Sequence, residues 1–187
     1  MSAPGLTRHA FITGGAHGLG RAMIDAFAAQ GAHGMCFDLD ATQQPLPPDW
    51  LEERGDVTAE QDIEDGLASC HKRFRRLDVV VANAGLVPPW RETEQLDLDE
   101  WDAVFRVNVR GVAATIKHAV PWMKATGGTI IVMGSLNSQR GHANQCLYTA
   151  TKHAVLGIVR SAAQDLGRYG IRVNAIGPGP VATDALR

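Results

Sequence analysis

The chain has 187 residues, 45% hydrophobic and 20% charged, which suits a single folded domain with a sizeable core. Eighteen basic against 20 acidic side chains leave a formal charge of −2, a balance that gives no support to nucleic-acid binding or to an anionic membrane. No apolar run approaches a bilayer span, and the opening MSAPGLTRHAF lacks the apolar centre of a signal peptide.

The first strand is expected at His9-Ala10-Phe11-Ile12-Thr13. It runs into Gly14-Gly15-Ala16-His17-Gly18-Leu19-Gly20, and a helix follows with Leu19, Ala22, Met23, Ala26 and Phe27 at helical spacing and Gly31 as its stop. Such a turn points backbone amides and a helix N-terminus at a phosphate. Its spacing is G-x-x-x-G-x-G, unlike the common G-x-G-x-x-G. A second strand, Met35-Cys36-Phe37, ends at Asp38, about twenty residues beyond the glycines, where a dinucleotide fold places an acid on the adenosine ribose. The competing role for Asp38 is a strand-ending turn residue beside Asp40. No Arg or Lys follows Asp38 to meet a 2′-phosphate, which favours NAD over NADP.

Residues 41–50, ATQQPLPPDW, hold three prolines and read as an extended loop where a covering helix could stand. A short strand is expected around Leu51 to Arg54, and a helix over 59–74. Its end carries His71-Lys72-Arg73-Phe74-Arg75-Arg76. That run reads as cations at the negative end of a helix dipole in preference to a nucleic-acid contact. Further strands are expected at 78–82, 129–133 and 171–176, with helices over 99–124 and 147–167. Unbroken apolar strands alternating with helices predict a doubly wound parallel α/β sheet, buried on both faces and joined by right-handed crossovers. Cys36, Cys70 and Cys146 are widely spaced, with neither metal-ligand nor disulfide patterning; buried inert thiols in a reducing cytoplasm are the expectation.

Tyr148 and Lys152 fall one helical turn apart, on one face. Alone the spacing is weak. Taken with TGGAHGLG, with Asn83-Ala84-Gly85 after the fourth strand, with Asn108 in FRVNVRG and with Ser135 thirteen residues before Tyr148, the chain resembles the short-chain dehydrogenase/reductase family nearly end to end. The resemblance implies a Rossmann fold of strand order 3-2-1-4-5-6. It assigns catalytic roles to Asn108, Ser135, Tyr148 and Lys152. It assigns cofactor contacts to Gly14, His17, Gly18, Leu19, Asp38, Asp56, Val57, Asn83, Ala84, Gly85, Tyr148, Lys152, Pro178, Gly179, Val181 and Thr183. Ser135 would hold the substrate oxygen, Tyr148 would exchange the proton, Lys152 would also hold the nicotinamide ribose, and Asn108 would hold a water. Competing roles remain: a turn residue for Ser135, a helix-interior polar residue for Asn108. Ser138 rivals Ser135 but has the wrong interval to Tyr148.

A tyrosine with a pKa near 10 is a poor base at neutral pH. Lowering it to about 7 requires roughly 4 kcal/mol in favour of the phenolate, which an ammonium close by in a partly dry site can supply. The expected activity is NAD-dependent interconversion of a secondary alcohol and a ketone; the alternative is an NAD-binding sensor or scaffold without turnover. Val87, Pro88, Pro89, Trp90, Asn137, His142 and Gln145 are candidate pocket residues. A homo-oligomer, dimer or tetramer, is implied by the resemblance, through the helices over 99–124 and 147–167. The chain departs from the family's pattern at Gly134, in the proline-rich loop and at its end. It stops at Arg187, where members of the family continue through a substrate-covering segment, another helix and a last strand. Residues 1–187 are therefore expected to form one catalytic domain without that segment, either because the protein is truncated or because the sequence is only its ordered part.

Overall fold

Six strands form one parallel sheet in the computed structural model, which describes residues 7–181. They are β1 (His9–Thr13), β2 (His33–Asp38), β3 (Trp50–Arg54), β4 (Val79–Ala82), β5 (Gly128–Met133) and β6 (Ile171–Ile176). Their order is β3-β2-β1-β4-β5-β6, the doubly wound topology that the alternation of elements predicts. Between them run α1 (Gly18–Ala28), α2 (Glu60–Phe74), α3 (Leu98–Phe105), α4 (Val112–Met123) and α5 (Cys146–Leu166). Gly31, at φ 76°, closes the turn after α1 as expected.

The sheet is covered on both faces. On one, Ala10, Ile12, Cys36, Val79 and Val81 pack with Ile24 of α1. On the other, Phe11, Phe37, Val80, Ile130 and Val132 pack with Ile63 and Leu67 of α2, Ala119 and Met123 of α4, and Val155 and Val159 of α5. The expectation of burial on both faces fails at the edge strand β3, where only Trp50 is buried, and at β6. There Ile171 and Val173 are buried while Arg172 and Asn174 are exposed, because only the face toward α5 is covered among the described residues. Residues 41–49 hold no helix, as their prolines predict. Arg21 of α1 ties that loop down by donating to the carbonyls of Gln44 and Pro45.

Two further expectations are corrected. The single helix over 99–124 is divided by a π-helical segment, Arg106–Gly111, between α3 and α4. The three thiols are not all buried: burial pushes Cys36 and Cys70 up to about 12, with the Asp38 charge adding to Cys36, but Cys146 opens α5 and is exposed. The basic run lies where the dipole argument puts it. His71, Lys72 and Arg73 fill the last turn of α2, His71 stacks on Trp122, and Arg76 pairs with Asp78.

Gly66 shows how close that packing is. It lies inside α2, where alanine ordinarily stabilises a helix by about 1 kcal/mol. A Cβ there would sit 2.8 Å from the Phe37 ring. Gly66→Ala should therefore destabilise the protein, by roughly 1–3 kcal/mol for an overpacked core. Thermal unfolding followed by circular dichroism should show a midpoint lower by several degrees, at roughly 2–4 °C per kcal/mol for a chain of this size. A raised midpoint would mean that Phe37 has room to move.

Candidate active site

The carboxyl ends of β1 and β4 meet where the strand order reverses. Thr13 Oγ1 accepts from the backbone N–H of Asn83 (3.0 Å) and of Ala84 (3.1 Å) and donates to the Val81 carbonyl (3.4 Å). The Asn83 side chain donates to the carbonyls of Thr13 (3.0 Å) and Gly14 (2.8 Å). Gly14 has a φ of 65°, and a Cβ on it would sit 2.8 Å from Ala84 Cα; one on Gly20 would run into the Gly14 carbonyl oxygen. The loop thus lies flat against the end of β4 because its glycines carry no side chains.

Asp38 ends β2 and turns back toward this loop. Its carboxylate accepts from Ala16 N–H (2.8 Å) and Asp40 N–H (3.1 Å). Asp38 thus closes the turn, and it keeps acceptor capacity for a further donor, since a carboxylate can take about four hydrogen bonds. The strand register brings Arg54 opposite Asp38, a neighbour that the linear sequence does not reveal. Its guanidinium is spent on the Leu39 carbonyl, at 2.9 and 3.3 Å. Asp56 caps its own turn by accepting from Thr58 N–H (2.7 Å), and Val57 lies buried against Gly111.

These residues fit a dinucleotide. No side chain caps α1, whose first turn holds no acid, so no side chain takes its first amides. His17 and Gly18 are exposed at that end, and Leu19 is half-buried.

The second group lies at the ends of β4 and β5 and the start of α5. Ser135 follows β5, and Ser138 serves it by accepting from its backbone N–H (3.1 Å). Tyr148 is half-buried in the first turn of α5. Lys152 is one turn on, 7% exposed, with its Nζ donating to the Met133 carbonyl at 2.7 Å and lying 5.6 Å from the centre of the Tyr148 ring. Asn108 sits in the π segment, 1% exposed. Its Oδ1 accepts from Leu86 N–H (2.7 Å), and its Nδ2 donates to the Leu86 carbonyl (2.9 Å) and to Thr151 Oγ1 (3.3 Å). Thr151 Oγ1 in turn donates to the Tyr148 carbonyl (2.8 Å). The Asn108 side chain is therefore a brace between the Gly85–Leu86 backbone and α5. Pro178 and Gly179 pass beside the same strand end, with Leu136 N–H donating to the Pro178 carbonyl (3.1 Å). Val181 is half-buried; Thr183 lies outside the described residues.

Of the pocket candidates, Pro88, Pro89, Trp90 and Gln145 line a small cavity beside Tyr148 together with Arg91 and Glu100. Trp90 is 67% exposed, and Val87 and His142 are also exposed. Asn137 does not line the cavity: it is buried, with its amide bonded to Gln145 and Thr149. The sequence does not reveal the partners of Thr13, Thr151 and Arg54. The first sits just before the glycines, and the second between Tyr148 and Lys152, where a polar residue facing the core is a readable signal.

The electrostatics correct one expectation. The Tyr148 phenol is pushed above its ordinary value, not below it: burial raises it, and a hydrogen bond with Ser135 offsets only part. The lysine does not reverse this, because its ammonium is turned to the Met133 carbonyl. Burial lowers Lys152 itself to about 8. In the ligand-free protein, the phenolate absorbance present in the parent and missing from Tyr148→Phe should therefore emerge above about pH 10, the free-tyrosine value. Emergence near neutrality would place the lysine charge closer to the hydroxyl than this geometry allows.

A family model described as short chain dehydrogenase matches residues 8–187. Short-chain dehydrogenase reductase 5 of Arabidopsis thaliana is 40% identical over 180 residues, which cover 92% of this chain and 70% of that protein. Levodione reductase of Leifsonia aquatica is 36% identical over 187 residues, 94% of this chain and 70% of that protein. Among solved structures, a 3-ketoacyl-(acyl-carrier-protein) reductase from Brucella melitensis complexed with NADH superposes with a TM-score of 0.91 at 28% identity, over 96% of this chain and 78% of that one. The chain spans 61% to 71% of the length of the five similar Arabidopsis reductases. The sheet order agrees with these matches, and the chain belongs to the short chain dehydrogenase family.

Proposed function

We propose that this chain is an NAD-dependent oxidoreductase that interconverts a secondary alcohol and a ketone, with Tyr148 as general acid and base. The observation that carries the reading is a buried ammonium, Lys152, one turn from Tyr148 and beside the strand end that bears Ser135. A cation held in an apolar interior is costly, and such costs collect where a charge is used. The relatives' names, levodione reductase and a reductase solved with NADH, favour the same class of reaction.

Bound nicotinamide supplies or accepts the hydride. Ser135 donates a hydrogen bond to the substrate oxygen and fixes it beside Tyr148. Tyr148 gives a proton to that oxygen in reduction and takes it back in oxidation. Lys152 stabilises the phenolate when its ammonium leaves the Met133 carbonyl, and that charge is present below about pH 8. Gly14, Gly18 and Leu19 offer the phosphate-facing backbone, and Asp38 accepts from the adenosine ribose. Asn108 braces the site from below. Homo-oligomerisation and a cytoplasmic location complete the reading, with the α3–α4 rod and α5 as the pairing faces.

Tyr148→Phe removes only the phenolic oxygen. With a panel of secondary alcohols and NAD, it should lose turnover by at least about 10²-fold while NADH affinity, read by fluorescence titration, stays within a few-fold. Turnover at the parent rate would end the catalytic assignment.

Asp38 sets the cofactor preference in the same reading. A carboxylate about 4 Å from a phosphate charge, at an effective dielectric near 20, costs on the order of 4 kcal/mol before screening. Asp38→Ala should weaken NAD and narrow its lead over NADP. Equal use of both cofactors by the unmodified protein would count against Asp38 as the selecting group.

A further inference from the structure

We propose that Asn137 is a positioning residue that acts on the reaction only through the Ser135 hydroxyl. This rests on the reading of Ser135 and Tyr148 given above. The sequence makes Asn137 a pocket residue, but its side chain is buried, and each polar group of the residue that bears on the site has a partner. Its backbone N–H donates to Ser135 Oγ at 3.2 Å. Its Nδ2 donates to Gln145 Oε1 (2.8 Å) and Thr149 Oγ1 (2.9 Å), which spends both amide protons on the start of α5. The carbonyl Oδ1 is left facing Ser135, whose hydroxyl donates to it at 3.5 Å.

Two consequences follow from these distances. The N–H of Asn137 occupies one of the two lone pairs of the Ser135 hydroxyl, which fixes the oxygen in place. Its resting acceptor is held at the long limit of a hydrogen bond, and a substrate oxygen can displace it cheaply. Asn137 also ties the turn that bears Ser135 to the helical turn that bears Tyr148. That anchor fixes the place of the Ser135 hydroxyl.

The test is a double-mutant cycle between Asn137→Ala and Ser135→Ala, read as kcat with NAD and the fastest secondary alcohol of a panel. Asn137→Ala should lower kcat by about 10- to 100-fold, the cost of small misplacement of a reacting group. In the Ser135→Ala background the same substitution should cost less than about twofold. Titration of the Tyr148 phenolate in the ligand-free proteins gives a second readout. Because Ser135 bonds the phenol, the midpoint should shift in Asn137→Ala and should not shift further when Ser135 is already alanine. If Asn137→Ala fails to fold, Gln145→Ala and Thr149→Val, which each free one amide proton, enter the same cycle with smaller losses expected. Losses that multiply independently, with an unmoved phenolate midpoint, overturn the positioning role alone. A Ser135→Ala variant that turns over at the parent rate, or a parent protein that oxidises no alcohol while binding NADH, overturns the reading of the site and this inference with it.

Discussion

The arrangement of the site depends on one seam, the meeting of β1 and β4. From β1 the chain winds outward through β2 to β3, then crosses back to lay β4 on the other side of β1. Sheets of this kind open a crevice at that reversal, beyond the carboxyl ends of the strands. Thr13 and Asn83 close its floor, with five hydrogen bonds shared between the strand ends, the glycine loop and Ala84. The Asn83 amide is thus consumed in holding the glycine loop. From Leu86 a second chain of bonds runs through Asn108 and Thr151 to the Tyr148 carbonyl. The backbone around the crevice is connected from the glycine loop to α5, and the side chains of Thr13, Asn83, Asn108 and Thr151 that do this work are buried or half-buried.

Above that floor, the pair that carries the proposed chemistry is displaced toward neutrality. Burial moves Tyr148 up and Lys152 down, each toward its uncharged form. Such an environment penalises both charges, and below about pH 8 the ammonium is present while the phenol keeps its proton. The Met133 carbonyl partly solvates the ammonium in the meantime.

Much of this was legible in the sequence. The six apolar bursts gave the strands, and the ordered motifs gave the glycine loop, Ser135, Tyr148 and Lys152. What could not be read is what depends on neighbours brought together by the sheet. Arg54 faces Asp38 only because β3 pairs in parallel with β2. Asn137 looks like a pocket residue beside Ser135, but packing turns it inward to Gln145 and Thr149. The direction of the tyrosine pKa is also illegible, because proximity along a helix says nothing of where a long lysine side chain points. β6 reads as an apolar burst from Ile171, Val173, Ala175 and Ile176, but the alternating Arg172 and Asn174 carry the true signal of one covered face.

The π segment between α3 and α4 also corrects a phase error. The buried residues Val104, Asn108, Val112 and Ile116 are spaced by four. In a pure α-helix each such step overshoots the turn by about 40°, so the stripe would spiral off the sheet. A wider turn at Arg106–Gly111 absorbs the excess, and one rod keeps a single face inward along its whole length. Asn108 is the residue at which the winding is reset. The rod thereby behaves as an indexed shaft, in which the count of residues through the wide turn determines which side chain is presented to Leu86 and which to the core.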